Sequence, residues 1–344
     1  MIRKDIRSLS AYRVPGSDGM IKLDAMENPY PMPSALHQGW QDLLAEEGIN
    51  RYPDADMAKL RGMIAELDGL EADQVLLGNG SDEIIQMLLM AADPGACAVP
   101  TPTFVMYELI SRWVKRPVVT VRLDAEFQLD AQSLLRTCGR EKAAIIFLAC
   151  PNNPTGNMWP AETVRAITEG FRGLVVIDEA YRPFADRTHT NLIAPNVLVL
   201  RTFSKMGWAG LRLGYVLGDA GTISELNKVR LPYNINALTQ ASARFLLRHL
   251  KLFSTQCQRI VDERERIFEQ LETIDGVRPY PSQANFILLR VRDANGMFDW
   301  LKMQHILVKN MHQAGGNLAG CLRLTVGTPE ENDALLSAIR EGVI

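Results

Sequence analysis

Several signals are missing from this sequence, and each absence removes a class of function. The five cysteines (Cys97, Cys138, Cys150, Cys257 and Cys321) are scattered, odd in number and form no CxxC pair. They read as reduced thiols and not as a disulfide framework or a zinc site. The five histidines form no HxxxH or HExxH pattern, so no metal is expected. Apolar runs such as MLLMAA and AAIIFLAC fall well short of a membrane span. The opening segment, MIRKDIRSLSAYRVPGSDG, lacks the apolar core of a signal peptide, and a cytoplasmic location is expected. Net charge is −3, pI is near 6.0, and no basic stretch reads as a nucleic-acid footprint. Neither nucleic acid nor a membrane is therefore an expected partner. No repeat and no low-complexity tract is visible.

What is present is an ordinary globular composition, 47% hydrophobic and 22% charged over 344 residues. That length suits one large domain and a smaller one. Residues 1–32 read as an irregular arm whose prolines in ENPYPMP forbid a long helix. In 33–235, helical spacing at 34–48 and 56–70 is followed by strands at 73–78, 96–100, 117–123, 143–150, 174–178, 196–203 and 211–218. Helical segments such as 80–92, 160–170 and 220–230 separate several of them, with Ser81 placed as an N-cap. Continuous Val, Ile and Leu runs between helices indicate an α/β fold with a mostly parallel sheet covered on both faces. From about 236 to 344 the pattern changes to α+β. A long helix or helix pair over 237–273 is expected to bridge the two parts.

In open parallel sheets, ligands bind beyond the C-terminal ends of the strands. The residues found there are polar. Gly78-Asn79-Gly80-Ser81-Asp82 follows the first strand, and Pro151-Asn152-Asn153-Pro154-Thr155-Gly156 follows the 143–150 run. Asp178-Glu179-Ala180-Tyr181 closes the 174–178 run, and Ser204-Lys205 follows 196–203. Taken singly these are weak signals. GNGSD is neither GxGxxG nor GxxxxGKS/T, and alone it is a turn leading into a helix. PNNPTG alone is a two-proline turn. Asp178 alone is a cap.

The lysine changes the weighing. A lysine at the end of a buried strand is costly unless it is paired, neutral or chemically used. Desolvation and nearby cations lower its pKa and let it form a Schiff base. An aspartate can keep a pyridine nitrogen protonated, and a Tyr and an Asn can hydrogen-bond a ring oxygen. A helix N-terminus, Ser204 and Arg212, seven residues after Lys205, can hold a phosphate. Pyridoxal 5'-phosphate needs these parts.

PNNPTG, DEAY and the spacing of SKMGWAGLR, in this order, resemble the fold-type I, class I/II aminotransferases. With MENPYP, RYPD, GNGSDE, PTF, ANFIL, ILVKN and CLRLTVGTPEEN, the chain resembles the histidinol-phosphate branch of that family over nearly its whole length. The resemblance implies a mostly parallel sheet sandwiched by helices, a small α+β domain, pyridoxal phosphate as cofactor and a homodimer with shared sites. It implies that Lys205 carries the cofactor and moves the substrate proton, and that Asp178 pairs with the ring nitrogen. Asn153 and Tyr181 would bind the ring oxygen, and Phe104 would stack on the ring. Gly80, Ser81, Asp82, Ser204 and Arg212 would surround the phosphate, with Tyr52 arriving from the partner subunit. Arg323 would take the α-carboxylate of glutamate, and Tyr12, Asn28, Tyr52 and Lys309 would line the substrate pocket. Lys309 departs from the arginine that many relatives place there; a lysine keeps the charge but loses the planar two-pronged grip.

The implied reaction exchanges an amino group between L-histidinol phosphate and 2-oxoglutarate in histidine biosynthesis. An aromatic amino acid aminotransferase would use the same lysine, aspartate and arginines. A threonine-phosphate decarboxylase would break the bond from Cα to the carboxylate and release carbon dioxide. A ligand sensor built on this scaffold would be expected to carry a DNA-binding domain, for which the chain has no spare segment.

Overall fold

The apolar runs form strands. The computed structural model describes residues 1–11 and 16–342. In chain order the strands are β1 (Ile21–Lys22), β2 (Val75–Asn79), β3 (Ala96–Thr101), β4 (Val118–Arg122), β5 (Ala143–Ala149), β6 (Leu174–Asp178) and β7 (Val197–Thr202). They continue with β8 (Leu213–Leu217), β9 (Val277–Pro279), β10 (Phe286–Val291), β11 (Ile306–Leu307), β12 (Lys309–Asn310) and β13 (Cys321–Thr325).

Seven strands make one sheet in the order β2-β8-β7-β6-β5-β3-β4. From β7 to β4 the neighbours pair in parallel. Strand β8 alone is reversed, antiparallel to both β7 and β2. The continuous apolar runs follow from burial on two faces. On β5, Ile146 and Leu148 face one core with Trp159, Val164 and Ile167, while Ile145 and Phe147 face the other with Ile84, Leu88 and Tyr107. All four β5 side chains are fully buried, and each contributes roughly 1.5–3 kcal/mol relative to exposure.

The second sheet is antiparallel, in the order β12-β13-β10-β9. The arm joins this part of the molecule: β1 pairs in parallel with β11, and Met26 N–H donates to Thr325 Oγ1. The 237–273 segment is two helices, Ala237–Leu247 and Leu250–Glu272. The longer one spans two cores. Phe253 packs with Phe203 and Trp208 beside the large sheet, whereas Ile260, Ile267 and Leu271 pack with Phe286 and Leu289 of the second sheet. No helix among the described residues is long and apolar enough to cross a membrane.

One local expectation is corrected. Ser81 is not the cap of its helix but the first residue of Ser81–Ala91; Gly80 holds the cap position at φ 79° with no side-chain cap. The carboxylate of Glu83 instead accepts from Asn79 N–H at 2.6 Å.

Candidate active site

The polar residues named from the sequence meet because parallel strands end at one rim. Asp178 is the last residue of β6, and Thr202 is the last of β7. Ser204 and Lys205 form the single-turn helix that follows. Because β8 runs backwards, Arg212, immediately before it, returns to the same rim. A cavity of about 230 Å³ lies there. Ser81, Asp82, Phe104, Asn153 and Asp178 line it, together with Tyr181, Ser204, Lys205 and Arg212.

Lys205 Nζ donates to the Ala25 carbonyl at 3.5 Å and lies 5.8 Å from the centre of the Tyr181 ring. Burial first, then the positive charges of Arg323 and Arg212, push its pKa down to about 8 against the opposing pull of Glu27 and Asp82. The amine is therefore substantially neutral in mildly alkaline water, as a nucleophile or base must be.

Asp178 is buried and held at both oxygens. Oδ2 accepts from the Tyr107 hydroxyl at 2.6 Å, and Oδ1 accepts from Ala180 N–H at 2.9 Å. Burial pushes its pKa up to about 6; the two hydrogen bonds oppose that rise, and Asp82 and Glu179 add to it. At neutral pH it is a poorly hydrated anion facing the cavity, suited to hold a cationic nitrogen.

The start of helix Ser81–Ala91 is packed too closely for side chains. A Cβ on Gly80 would meet Arg212 Nη2 at 2.6 Å, and one on Gly214 would meet Ser81 N at the same distance. Arg212 Nη2 lies 3.6 Å from Asp82 Oδ2. Across from them, the hydroxyls of Thr202 and Ser204 share a 2.9 Å hydrogen bond. Backbone N–H groups, hydroxyls and a guanidinium thus converge as an anion cradle.

Asn153 Nδ2 donates to Tyr181 OH at 3.0 Å, and Asn153 Oδ1 accepts from Arg323 Nη1 at 2.6 Å. Arg323 Nη2 donates to the Asp24 carbonyl at 2.8 Å, and its guanidinium lies 5.4 Å from the centre of the Phe286 ring. Burial raises the Tyr181 pKa, so its hydroxyl stays a donor.

The sequence model of the family "Aminotransferase class I and II" matches residues 18–339. The chain belongs to this family. The aminotransferase is 45% identical over 346 residues to histidinol-phosphate aminotransferase 1 of Burkholderia lata, an alignment covering 99% of this chain and 97% of that one. It is 46% identical over 348 residues to histidinol-phosphate aminotransferase 2 of Cupriavidus pinatubonensis, covering 98% and 95%. Among solved structures, histidinol-phosphate aminotransferase from Sinorhizobium meliloti in complex with pyridoxal-5'-phosphate matches with a TM-score of 0.89 at 25% identity, covering 99% and 97%.

Of the residues named from the sequence, Asn28, Tyr52, Gly80, Lys309 and Arg323 do not line the cavity of this aminotransferase. Tyr12 lies outside the described residues. Asn28 does not line the cavity: its Nδ2 donates to the Met206 carbonyl at 3.0 Å and its Oδ1 accepts from Tyr30 N–H at 2.9 Å. Its amide is consumed in holding the arm against the lysine's turn. Tyr52 is exposed and stacks on Tyr233, ring centres 4.5 Å apart. Lys309 lines a neighbouring groove that also touches Phe104, and it stands opposite Arg323 in the β12–β13 register.

Three polar cavity residues of the aminotransferase, Glu27, Thr202 and Tyr107, were not named as site residues. Thr202 had a readable signal, since it ends a buried strand at the rim where polar groups collect. Tyr107 had none: its helix reads as amphipathic, and its contact with Asp178 crosses 71 residues.

Proposed function

We propose that this aminotransferase exchanges an amino group between L-histidinol phosphate and 2-oxoglutarate, yielding imidazole acetol phosphate and glutamate, with pyridoxal 5'-phosphate as cofactor. The reading rests on relatives that carry this name at 44–46% identity over nearly the full chain. One observation in the structure carries the chemistry. A buried lysine amine and a buried carboxylate share one cavity with the cradle at the start of helix Ser81–Ala91.

The donor set suits the cofactor. Asp178 would hold the ring nitrogen, Asn153 and Tyr181 the ring oxygen, and Phe104 one ring face. Ser81, Thr202, Ser204, Arg212 and the N–H groups after Gly80 would hold the phosphate, with Asp82 orienting Arg212. Bound there, the cofactor supplies an electrophilic carbonyl and a ring that withdraws electrons from the substrate Cα.

The chain's own residues would do the rest. Lys205 would anchor the cofactor and then, as a neutral amine, take the proton from the substrate Cα. Arg323 would pair its guanidinium with the α-carboxylate of glutamate, a charge-assisted contact in a dry site. Lys309, opposite it, would serve the phosphate of histidinol phosphate. In this reading residues 33–235 supply the cofactor contacts, while 236–344 supply Arg323 and Lys309.

A second copy completes the site. Tyr52, Tyr233, Ile49 and Leu231 are exposed, and a homodimer would cover them while Tyr52 reaches the partner's phosphate. Mixing Lys205→Ala chains with Tyr52→Ala chains then restores activity, because one of the two mixed sites keeps both residues. No restoration in a confirmed heterodimer counts against sharing.

The first experiment is an absorbance spectrum of the cofactor-loaded protein before and after L-histidinol phosphate. Loss of the long-wavelength cofactor band at low substrate, with phenylalanine needing far more, supports the assignment. A response to glutamate and aromatic amino acids but not to histidinol phosphate moves the assignment to aromatic substrates. Carbon dioxide release from threonine phosphate moves it to a decarboxylase.

A further inference from the structure

Tyr107 is fully buried, at 0% exposure, and its hydroxyl donates to Asp178 Oδ2 at 2.6 Å. Its ring is fixed on two sides. It stacks on Phe147 of β5 (centres 4.7 Å apart, planes 12° apart) and meets Phe104 edge-on (5.5 Å, 87°). Its carbonyl accepts from Ser111 Oγ at 2.7 Å, which steadies the first turn of helix Met106–Trp113. With the ring clamped, the hydroxyl is aimed at the carboxylate.

The surroundings of Asp178 make this donor consequential. Asp82 and Glu179 are both negative, and burial penalises the ionised form. The Tyr107 hydroxyl and the Ala180 N–H work the other way. Burial and the adjacent carboxylate push the phenol itself well above its ordinary range, so it donates and does not ionise. Two donors on two oxygens also fix the carboxylate plane, leaving lone pairs toward the cavity.

We propose that Tyr107 is a positioning residue for the reaction: by donating its hydroxyl proton to Asp178 Oδ2, it keeps the proton shared with the cofactor's ring nitrogen on the ring and off the carboxylate. The proposal rests on the cofactor reading above. The physical argument is one of competing bases. A carboxylate that already accepts a strong hydrogen bond is a weaker base toward the ring N–H. Without Tyr107 the proton moves toward Asp178, and the ring withdraws electrons less well. The edge contact with Phe104 adds a second coupling, since one helix start then sets both the ring-stacking residue and the acid.

The test is Tyr107→Phe, which keeps the ring and removes only the oxygen. Holoenzyme is loaded with cofactor labelled with nitrogen-15 in the ring. The expected result is a ring-nitrogen shift toward the unprotonated value and a roughly tenfold or greater loss in the single-turnover rate with glutamate. The glutamate concentration giving half-maximal rate stays within about twofold, because the missing contact does not touch substrate. Incorporating 3-fluorotyrosine at position 107, a stronger donor of nearly the same size, moves the nitrogen shift in the opposite direction. This second variant also covers the case in which Tyr107→Phe fails to fold. An unchanged nitrogen shift and rate in Tyr107→Phe overturn the proposal. A lowered melting temperature with both readouts unchanged also overturns it, and leaves Tyr107 a packing residue. Histidinol phosphate is not used, so an error in the substrate assignment leaves the result readable. Wild-type protein that takes up no cofactor overturns the functional reading, and this one with it.

Discussion

Arg323 on β13 donates to Asn153 Oδ1 in the loop after β5, at 2.6 Å, with both side chains buried. This bond joins the small antiparallel sheet to the rim of the large one, and the same guanidinium also reaches the Asp24 carbonyl of the arm. Arg323→Gln removes a bidentate cation from a dry site. The half-saturating glutamate concentration is expected to rise by roughly 10²-fold or more. Folding stability is expected to fall by about 1–3 kcal/mol, because the two acceptors lose a charged donor. Steady-state kinetics and chemical denaturation check both. Unchanged glutamate saturation would remove Arg323 from carboxylate binding.

Lys205 sets a pH dependence. With its pKa pushed down to about 8, the protonated fraction dominates below that pH. Capture of pyridoxal phosphate by the cofactor-free protein should therefore accelerate as pH rises toward 8 and level off above it. Arg323 lowers this pKa, so Arg323→Gln should move the midpoint upward. Stopped-flow absorbance across pH 6–10 measures it, and a midpoint near that of free lysine would contradict the burial argument.

Asp178 trades stability for function. Its pKa rises from the ordinary 3.8 to about 6, which corresponds to about 3 kcal/mol set against the ionised form. The sign follows from linkage. Between the two values the folded state holds the extra proton, so this group's destabilisation is complete above pH 6 and is relieved as pH falls toward 4. Cofactor-free Asp178→Asn should therefore melt higher than wild type at pH 7–8, with the gap closing toward pH 5. Its turnover should fall by roughly 10²–10³-fold. A variant that melts lower at pH 8 would show that the carboxylate is better compensated than its surroundings indicate.

Gly80→Ala tests the cradle. The new Cβ meets Arg212 Nη2 at 2.6 Å on a backbone held at φ 79°. Loss of about 1–3 kcal/mol of stability is expected from the strained backbone alone. Displacement of Arg212 should weaken cofactor affinity by at least roughly tenfold, while turnover at saturating cofactor changes little. Equilibrium dialysis of pyridoxal phosphate decides it. Unaltered affinity would place the phosphate elsewhere.

Much of this architecture was legible because burial on two faces leaves an unmistakable trace. The run 174–178 coincides with β6, and 143–150 with β5 plus one residue. The convergence of Asp178, Lys205 and Asn153 followed from strand direction alone. The failures have separate causes. Ser81 looked like a cap because its composition suits one, but close packing of Arg212 hands that position to a glycine. The Asn28 amide donates to a carbonyl 178 residues away, a partner that no local motif announces. Tyr107 obeys a helical pattern that hides what its hydroxyl does. Contacts made by one atom across long separations leave no periodic signal.

The reversed strand β8 has a consequence for the order in which the site assembles. Because β8 turns straight back along β7, Lys205 and Arg212 lie within one local hairpin whose ladder pairs Thr202 with Gly214. Closing so short a loop costs little chain entropy. The Asp178–Tyr107 and Asn153–Arg323 contacts span 71 and 170 residues and await the parallel crossovers. Local pairings form faster than distant ones. Lys205 and Arg212 are therefore expected to come together early in folding, with the acid, the ring pocket and the second sheet gathered around them later.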